Sequence, residues 1–237
     1  MARKYELNKR ALKQEETRLR IVDATVALHE EVGPAQTSIS AIAKRAGVER
    51  LTVYRHFPDE RDIFLACSAR YRESHPLPDV TTWLETSDPL VRLQTALRDV
   101  YRYYESAEQM LSNVFRDAPL VPTLRDAVEH TRDRFESMVD VLLAGWDDVD
   151  QVTRRNLAAA IRLALDFNTW RVLARSQGFS PDEAAIMLAE MVWNLAGRTA
   201  IAEFRTRPPR RETPDPGRPT PFTLIPPAPR SKGGGKP

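Results

Sequence analysis

The stretch that decides the fold runs from Thr37 to Phe57 and reads TSISAIAKRAGVERLTVYRHF. Its first half has apolar residues at the spacing of one helical face, and a Thr and a Ser precede them that can cap the helix start. Gly47 ends this helix, because glycine readily adopts the left-handed backbone that helix ends use. Residues Arg50 to His56 then predict a second short helix. The stretch is therefore a helix-turn-helix, whose second helix normally lies in a DNA major groove.

The second helix divides into an apolar side and a side that is free for other contacts. Either Leu51 or Val53 can supply the apolar side together with Phe57. Thr52 offers a hydroxyl and a methyl group, and arginine can pair with phosphate or with a guanine edge. If Leu51 is not part of the core, it can itself approach a thymine methyl group.

The motif also carries the residues of a known family. Two runs carry them, Thr37-Ser38-x-x-x-Ile42-Ala43-x-x-Ala46-Gly47-Val48 and Thr52-Val53-Tyr54-Arg55-His56-Phe57. They resemble the DNA-binding signature of the TetR family of transcriptional regulators, and the resemblance extends from about Glu15 to Tyr71. It implies an all-α homodimer with an N-terminal three-helix DNA-binding domain. It also implies a larger C-terminal helical bundle that binds a small ligand and carries the dimer interface.

The resemblance and the side-chain chemistry together give a set of candidate DNA contacts. The set is Thr37, Ser38, Lys44, Arg50, Leu51, Thr52, Tyr54, Arg55 and His56. Within it the resemblance implies a base contact for Thr52. It implies phosphate contacts for a further five residues, which are Thr37, Ser38, Lys44, Tyr54 and His56. We expect the ring of Tyr54 to pack in the core, so that only its hydroxyl reaches the DNA. Glu49, Leu51 and Glu60 depart from the family pattern. These departures leave the individual phosphate contacts open.

Composition limits the other classes of protein. The chain of 237 residues is long enough for two domains, and its 42% hydrophobic and 29% charged residues are those of an ordinary globular protein. No apolar run approaches the ~18 residues of a membrane span, no signal-peptide pattern is present, and Cys67 alone cannot form an internal disulfide. We therefore expect a cytoplasmic protein without a membrane partner.

Motifs of catalysis and metal binding are missing from the sequence. The four histidines and one cysteine have no metal-ligand spacing, and no nucleophile elbow or nucleotide-binding glycine loop occurs. We therefore expect no enzyme, no catalytic residues, no metal and no cofactor.

The charge is segregated along the chain. Residues 1–72 carry 14 Lys/Arg and 10 Asp/Glu, residues 73–204 carry 13 and 21, and residues 205–237 carry 8 and 2. A basic module beside an acidic one suits a protein that offers one face to phosphate.

The positions of glycine and proline residues and the local composition divide the chain into five parts. They are a flexible basic arm at residues 1–14, the DNA-binding domain at 15–58, a connecting helix at 59–75, a helical domain at 76–205, and a disordered Pro-rich basic tail at 206–237. The resemblance assigns ligand binding and dimerisation to the helical domain. The arm either contacts the minor groove or phosphates of DNA or is only a solvated terminus. For the tail, solvation is favoured over binding of its prolines to an aromatic groove.

Helical periodicity covers the larger domain, and no strand alternation occurs in it. The predicted helices span residues 88–105, 108–116, 123–146, 150–177 and 180–204, and residues 81–87 are expected to be irregular. Ser180 and Glu183 have the spacing of a capping box at the start of the last helix.

Large apolar residues in this domain, with polar groups among them, are candidates for an effector pocket. They are Tyr101, Tyr104, Met110, Phe115, Phe135, Met138, Asp166, Phe167 and Trp170. The alternative is that this aromatic stripe is only core. The effector itself is implied by the family resemblance, and its chemistry is expected to be largely apolar.

The last two helices have more apolar surface than one bundle face requires. The resemblance assigns the excess to a dimer interface, for which the candidates are Met187, Leu188, Met191, Trp193 and Leu195. Burial of Trp193 inside its own subunit is the alternative.

These features together predict a sequence-specific regulator that binds a palindromic operator in double-stranded DNA as a homodimer. The expected activity is that of a repressor, which an unknown small-molecule effector releases from the operator. The alternative is an effector-independent DNA-binding protein, whose helical domain serves only dimer or protein-partner contacts.

Overall fold

The part of the chain that the structure describes is helical throughout. The computed structural model describes the backbone of residues 2–197 and the side chains of residues 9–124 and 133–197. Its ten described α-helices are α1 Ala2–Glu31, α2 Ile39–Ala46, α3 Arg50–His56, α4 Glu60–Ser74, α5 Val80–Leu84, α6 Pro89–Asp117, α7 Pro122–Leu143, α8 Gln151–Leu165, α9 Phe167–Arg171 and α10 Pro181–Gly197. A 3-10 turn, Pro34–Gln36, follows α1, and a π-helical turn, Val172–Ser176, follows α9. The all-α fold class is confirmed.

Helices α1, α2 and α3 form the predicted three-helix domain. Ile21 and Val22 of α1, Ile42 of α2 and Val53 of α3 lie in one buried apolar cluster, which Ile63 of α4 also joins. Two helices of eight and seven residues bury little surface alone, so α1 completes their core.

The predicted arm at residues 1–14 is corrected over the residues that the structure describes. The helix begins at Ala2, whereas the sequence suggested a start near Glu15. No glycine or proline occurs between Ala2 and Glu15, and most residues there are strong helix formers. Elongation from a packed helix needs no apolar face, since each further residue adds a hydrogen bond. Residues 9–16 are accordingly helical and exposed.

Helix α4 has the two-sided contacts expected of a connecting helix. Asp59 caps it by accepting from the Arg61 backbone N–H at 2.9 Å. Ile63 lies in the core of the three-helix domain, while Tyr71 packs with Ala107 and Met110 of α6.

The C-terminal part is a bundle in which α6 packs against α7, α8 and α10. Helix α6 is continuous from Pro89 to Asp117, although the sequence suggested separate helices at residues 88–105 and 108–116. No helix breaker lies between them, and buried Ala107 and Met110 extend the apolar face.

The segment at residues 81–87 is also not wholly irregular. It contains most of the short helix α5, which Asp79 caps by accepting from Thr81 N at 3.0 Å. Trp83 anchors α5 in the bundle core and donates from Nε1 to Asp99 Oδ2 at 2.9 Å. A single buried tryptophan thus fixes a helix that is too short to show periodicity.

The helix predicted at residues 150–177 is broken at Asp166. Asp166 caps α9 by accepting from Asn168 N at 2.8 Å and Thr169 N at 3.0 Å, so these N–H groups no longer bond to the end of α8. Two buried hydroxyls from α6 replace them. Tyr101 donates to Ala164 O and Tyr104 to Leu165 O, each at 2.6 Å. The break therefore depends on side chains some sixty positions away.

The start of α10 follows the predicted capping box. Glu183 N donates to Ser180 Oγ at 3.3 Å, and Ser180 N donates to Glu183 Oε2 at 2.9 Å. The predicted continuation of this helix to residue 204 and the predicted tail lie outside the described residues. Within the described range, no helix is both long enough and apolar enough to cross a membrane.

Candidate nucleic-acid interface

Local backbone chemistry fixes the turn between α2 and α3. Ser38 caps α2, its Oγ accepting from Ala41 N at 3.1 Å. Gly47 ends α2 in the left-handed conformation with φ of 65°. The Val48 backbone N–H then donates a hydrogen bond to Ala43 O at 3.0 Å. This geometry directs the chain into α3.

Helix α3 presents one side to the core and the other to solvent. Val53 and Phe57 are buried, whereas Leu51 is 74% exposed. Of the two alternatives for the apolar side, Val53 with Phe57 is the observed one, and burial of Leu51 in the core is wrong. Leu51 is thus an apolar side chain at the free surface of α3.

Most of the other candidate DNA contacts also reach the surface. Arg50, Tyr54, Arg55 and Lys44 are exposed, and Thr52 is half-buried. Tyr54 is 45% exposed, so the expectation that its ring packs in the core is wrong. His56 is half-buried as well. Arg55 Nη2 donates to Thr52 Oγ1 at 3.2 Å, so the two side chains meet across one turn of α3.

The two hydroxyl residues before α2 differ in what they can offer. Thr37 Oγ1 donates to Gly33 O at 2.8 Å, so its hydrogen is committed inside the protein. Ser38 Oγ accepts a hydrogen bond and retains its own hydrogen for a phosphate. Ser38 is therefore the better phosphate donor of the pair.

An open groove of about 600 Å³ lies between the N-terminal part of α1 and α3. Its lining residues are Arg10, Ala11, Lys13, Gln14, Glu15, Thr17, Arg18, Thr52, Arg55 and His56. Arg10, Lys13, Gln14 and Thr17 follow one another at helical spacing, which places them on one face of α1. The interpretation of residues 1–14 as an arm missed Gln14 and Thr17, although this spacing could have revealed them.

Acidic partners engage two other arginines of the three-helix domain. Arg45 makes two hydrogen bonds to the Glu31 carboxylate at 2.6 and 2.7 Å, and these bonds lower the pKa of Glu31. Arg18 lies 3.7 Å from Glu15 and also stacks over the Phe57 ring. The Arg45–Glu31 pair therefore connects α2 to the end of α1.

The candidate effector residues are distributed over several environments. Tyr101, Tyr104, Met138, Phe167 and Trp170 lie in the bundle core. Met110 belongs instead to the cluster with Tyr71, Phe115 is partly exposed, Phe135 is half-buried, and Asp166 is exposed.

The aromatic members pack against one another. The Tyr104 ring centroid lies 5.3 Å from that of Phe167 and 5.8 Å from that of Trp170. Burial raises the pKa of the Tyr101 and Tyr104 hydroxyls, which donate to backbone carbonyls. Trp170 Nε1 is buried and has no hydrogen-bond partner among the described residues.

The candidate dimer residues are also not equivalent. Leu188 is only 8% exposed and packs in the core of its own subunit, whereas Met191 is 58% exposed. Met187 and Leu195 are half-buried. Trp193 is exposed on one side and contacts Trp146 of the same chain, with ring centroids 5.2 Å apart.

Comparison with known proteins identifies relatives of the DNA-binding region. Residues 21–67 match the family described as bacterial regulatory proteins, tetR family. The regulator AcrR of Shigella flexneri is 46% identical over 57 residues, which are 23% of this chain and 26% of AcrR. The repressor KstR of Rhodococcus jostii is 36% identical over 89 residues, 38% of this chain and 41% of KstR. The chain thus spans less than half the length of these two curated relatives.

A similar fold extends over the larger part of the chain. NalD of Pseudomonas aeruginosa, the secondary repressor of the MexAB-OprM multidrug efflux pump, is 26% identical, with a TM-score of 0.53. The similarity covers 77% of this chain and 96% of NalD. Residues 21–67 therefore carry the DNA-binding segment of the TetR family of transcriptional regulators, and the fold over most of the chain is similar to that of the repressor NalD.

Proposed function

We propose that this protein is a repressor that binds a palindromic DNA operator as a homodimer and leaves it when a small, largely apolar effector binds. The observation that carries the DNA-binding part is the free surface of α3. It combines exposed Leu51, the Thr52–Arg55 pair and Tyr54 on a helix whose opposite side is buried. A helix that exposes such side chains on one side can enter the major groove and reach base edges.

The groove between α1 and α3 supports a second zone of contact with the same DNA. Arg10, Lys13 and Arg55 bring positive charge to its two walls, and Gln14 and Thr17 add hydrogen-bonding groups. Phosphate oxygens accept from such side chains, and these contacts set the register of a protein on a duplex. This arrangement favours phosphate contact over the alternative of a solvated basic terminus.

Exposed apolar residues on two adjacent helices support the dimer. Val152 and Leu163 of α8 and Ile186, Met191 and Trp193 of α10 are exposed, and the two helices pack side by side. Neighbouring apolar patches of this kind mark interaction sites. Two helices from each subunit would form an isologous four-helix contact, whose symmetry a palindromic operator would match.

The effector is supported by one buried polar atom in the aromatic cluster. Trp170 Nε1 lacks a partner among the residues that the structure describes, and an acceptor atom on an otherwise apolar ligand would satisfy it. The effector must bind the released conformation more tightly than the DNA-bound one, because equal affinity shifts nothing. The close packing of Tyr101, Tyr104 and Trp170 is the observation that supports the alternative, an effector-independent DNA-binding protein whose helical domain serves only dimer or protein-partner contacts.

Selection of bound fragments from random-sequence duplex DNA tests the central proposal. We expect a two-fold symmetric motif, with half-sites about one helical turn or a multiple apart. Arg55→Ala should reduce the enrichment strongly. Arg134→Ala on α7 removes an exposed arginine outside the proposed DNA and dimer contacts and should leave the motif unchanged. If the unmodified protein enriches no motif at modest salt, the proposal fails.

The selected duplex then distinguishes the two forms of the proposal. A thermal-shift screen of small apolar compounds identifies ligands, since binding to the folded state raises the melting temperature. Each ligand is titrated into the protein–DNA complex. Dose-dependent release supports the effector, and stabilising ligands that never release DNA support the effector-independent repressor.

A further inference from the structure

Side chains at the C-terminal end of α6 satisfy the backbone of the turn that joins α1 to α2. Asn113 is 4% exposed, and its Nδ2 donates to His29 O at 3.0 Å and to Glu30 O at 2.8 Å. These carbonyls belong to the last turn of α1 and have no partner within that helix. A side chain of the bundle therefore caps the first helix of the DNA-binding domain.

Two further residues of α6 complete this contact. Arg116 Nη2 donates to Val32 O at 2.9 Å, and Asp117 Oδ2 accepts from Ala35 N at 3.0 Å. The three side chains also bond to one another. Arg116 donates to Asn113 Oδ1 at 3.0 Å and to Asp117 Oδ1 at 2.7 Å. We refer to Asn113, Arg116 and Asp117 together as the α6 lock.

A glycine in the turn leaves the space that the side chains of the α6 lock occupy. Gly33 has a φ of 94°, a conformation that L side chains rarely adopt. A Cβ atom at Gly33 would overlap Arg116 Nη2 and Asp117 Oδ2. The Asp117 carboxylate is almost completely buried, and its hydrogen bond from Arg116 lowers its pKa, so it remains charged against the turn.

We propose that Asn113, Arg116 and Asp117 are positioning residues for DNA binding, which fix the orientation of helices α1 to α3 relative to the bundle. The proposal rests on the proposed DNA-binding function. Helix α4 alone is a single covalent connection, about which the domain could still turn. A second attachment through the α6 lock, more than eighty positions along the chain, restricts that rotation.

Helix α6 also makes side-chain contacts inside the bundle. Tyr101 and Tyr104 of α6 bond to the junction between α8 and α9, and Asn113 lies farther along the same continuous helix. Helix α6 therefore holds both the junction in the bundle and the turn after α1 through its own side chains.

The test compares two variants of the α6 lock with a matched control in the full chain. Asn113→Leu keeps the approximate size and removes both donors, and Arg116→Met removes the bond to Val32. Arg175→Met is the control, since Arg175 also pairs with a carboxylate of α6, Glu108, and its side chain is 47% exposed against 52% for Arg116. The control pair does not involve α1.

The first measurement is a distance distribution in DNA-free protein. Spin labels are placed on exposed Ser40 of α2 and Asp140 of α7 through cysteine substitutions. Cys67 is buried, and burial raises the pKa of its thiol to about 12, so it should not react. Labelled chains are diluted with unlabelled protein, so that each dimer holds at most one labelled chain.

We expect the unmodified protein and Arg175→Met to give the same narrow distance distribution. Both variants of the α6 lock should broaden or shift it, while circular dichroism still reports a folded, cooperatively melting protein. Affinity for the duplex selected by the unmodified protein should fall on the order of tenfold in these variants and stay unchanged in Arg175→Met. If Asn113→Leu does not fold, Arg116→Met alone is used for the test, because the Arg116 side chain is half-exposed.

Unchanged distances in folded variants would overturn the proposal and leave the α6 lock with a purely stabilising role. Changed distances with unchanged DNA affinity would also overturn it, because orientation would then not matter for binding. If the unmodified protein selects no duplex, the proposed function fails. The distance measurement still determines in that case whether the α6 lock orients the three-helix domain.

Discussion

Arg55 Nη2 donates a hydrogen bond to Thr52 Oγ1 at 3.2 Å, across one turn of α3. The bond holds the guanidinium beside the hydroxyl, while the hydroxyl hydrogen and the remaining guanidinium N–H groups stay available. The two side chains therefore present one composite donor surface. Replacement of either residue should disturb the DNA contact of the other.

Thr52→Ala and Tyr54→Ala are each expected to weaken binding to the selected operator by ~1–3 kcal/mol. Both side chains are at least partly exposed, so the melting temperature and the oligomeric state should be nearly unchanged. Fluorescence anisotropy with labelled duplex measures the affinity. A double-mutant cycle of Thr52→Ala with Arg55→Ala should be non-additive, and strict additivity would show that the pair does not act jointly.

Deletion of residues 2–13 should reduce the salt dependence of operator binding. Each phosphate contact that is lost lowers the slope of log K against log salt by ~0.9. Arg10→Ala with Lys13→Ala should reproduce most of the effect, because these side chains line the groove beside α3. Arg134→Ala with Arg171→Ala removes the same charge from exposed sites elsewhere and serves as the control. An unaltered slope would favour the solvated terminus.

Burial of His29 should make stability depend on pH. Desolvation lowers its pKa from 6.5 to about 4, and the Asp117 charge opposes this only in part. The unfolded chain therefore binds the proton more tightly, and the free energy of unfolding should rise with pH between about 4 and 6.5 and then level off. Between these two pH values, His29 should change the free energy of unfolding by about 3 kcal/mol.

Urea unfolding between pH 5 and pH 8 measures this dependence. Carboxylates with lowered pKa values, such as Asp117, lose their contribution at lower pH than His29 does. His29→Gln should therefore flatten the profile above about pH 5. A profile in the variant that retains the full slope would assign the dependence to another group.

The DNA-binding helices could be predicted because their signals are local. Ser38 and Gly47 mark the ends of α2 within the stretch itself, and the buried residues of α2 follow one helical face. The choice between Leu51 and Val53 could not be made in this way, since both fit an apolar side. It depends on how α3 rotates against α1, which is a property of the packed domain.

The bundle was less predictable because its features depend on distant residues. The end of α8 at Leu165 requires the hydroxyls of Tyr101 and Tyr104, which no local pattern reveals. In the sequence Asn113 is only a polar residue among apolar ones, and its partners in α1 lie more than eighty positions away. Periodicity identifies which residues are apolar, but it does not identify their partners.

Subunit association is tested by two substitutions on α10 that should have opposite effects. Met191 is largely exposed in the subunit, so Met191→Glu should leave the fold intact and place an unpaired charge in the proposed interface, which is costly. Leu188 packs in the core of its own subunit, so Leu188→Glu should unfold the protein. This corrects the expectation that the two residues are equivalent interface positions.

Sedimentation velocity and thermal melting distinguish these outcomes. Met191→Glu is expected to sediment as a folded monomer with reduced operator affinity, because one subunit reads only half of a palindrome. Leu84→Glu on α5 replaces another exposed apolar residue outside α8 and α10 and should remain a dimer. If Met191→Glu also stays fully dimeric, the subunits associate through a different surface, and the exposed residues of α8 and α10 require another partner.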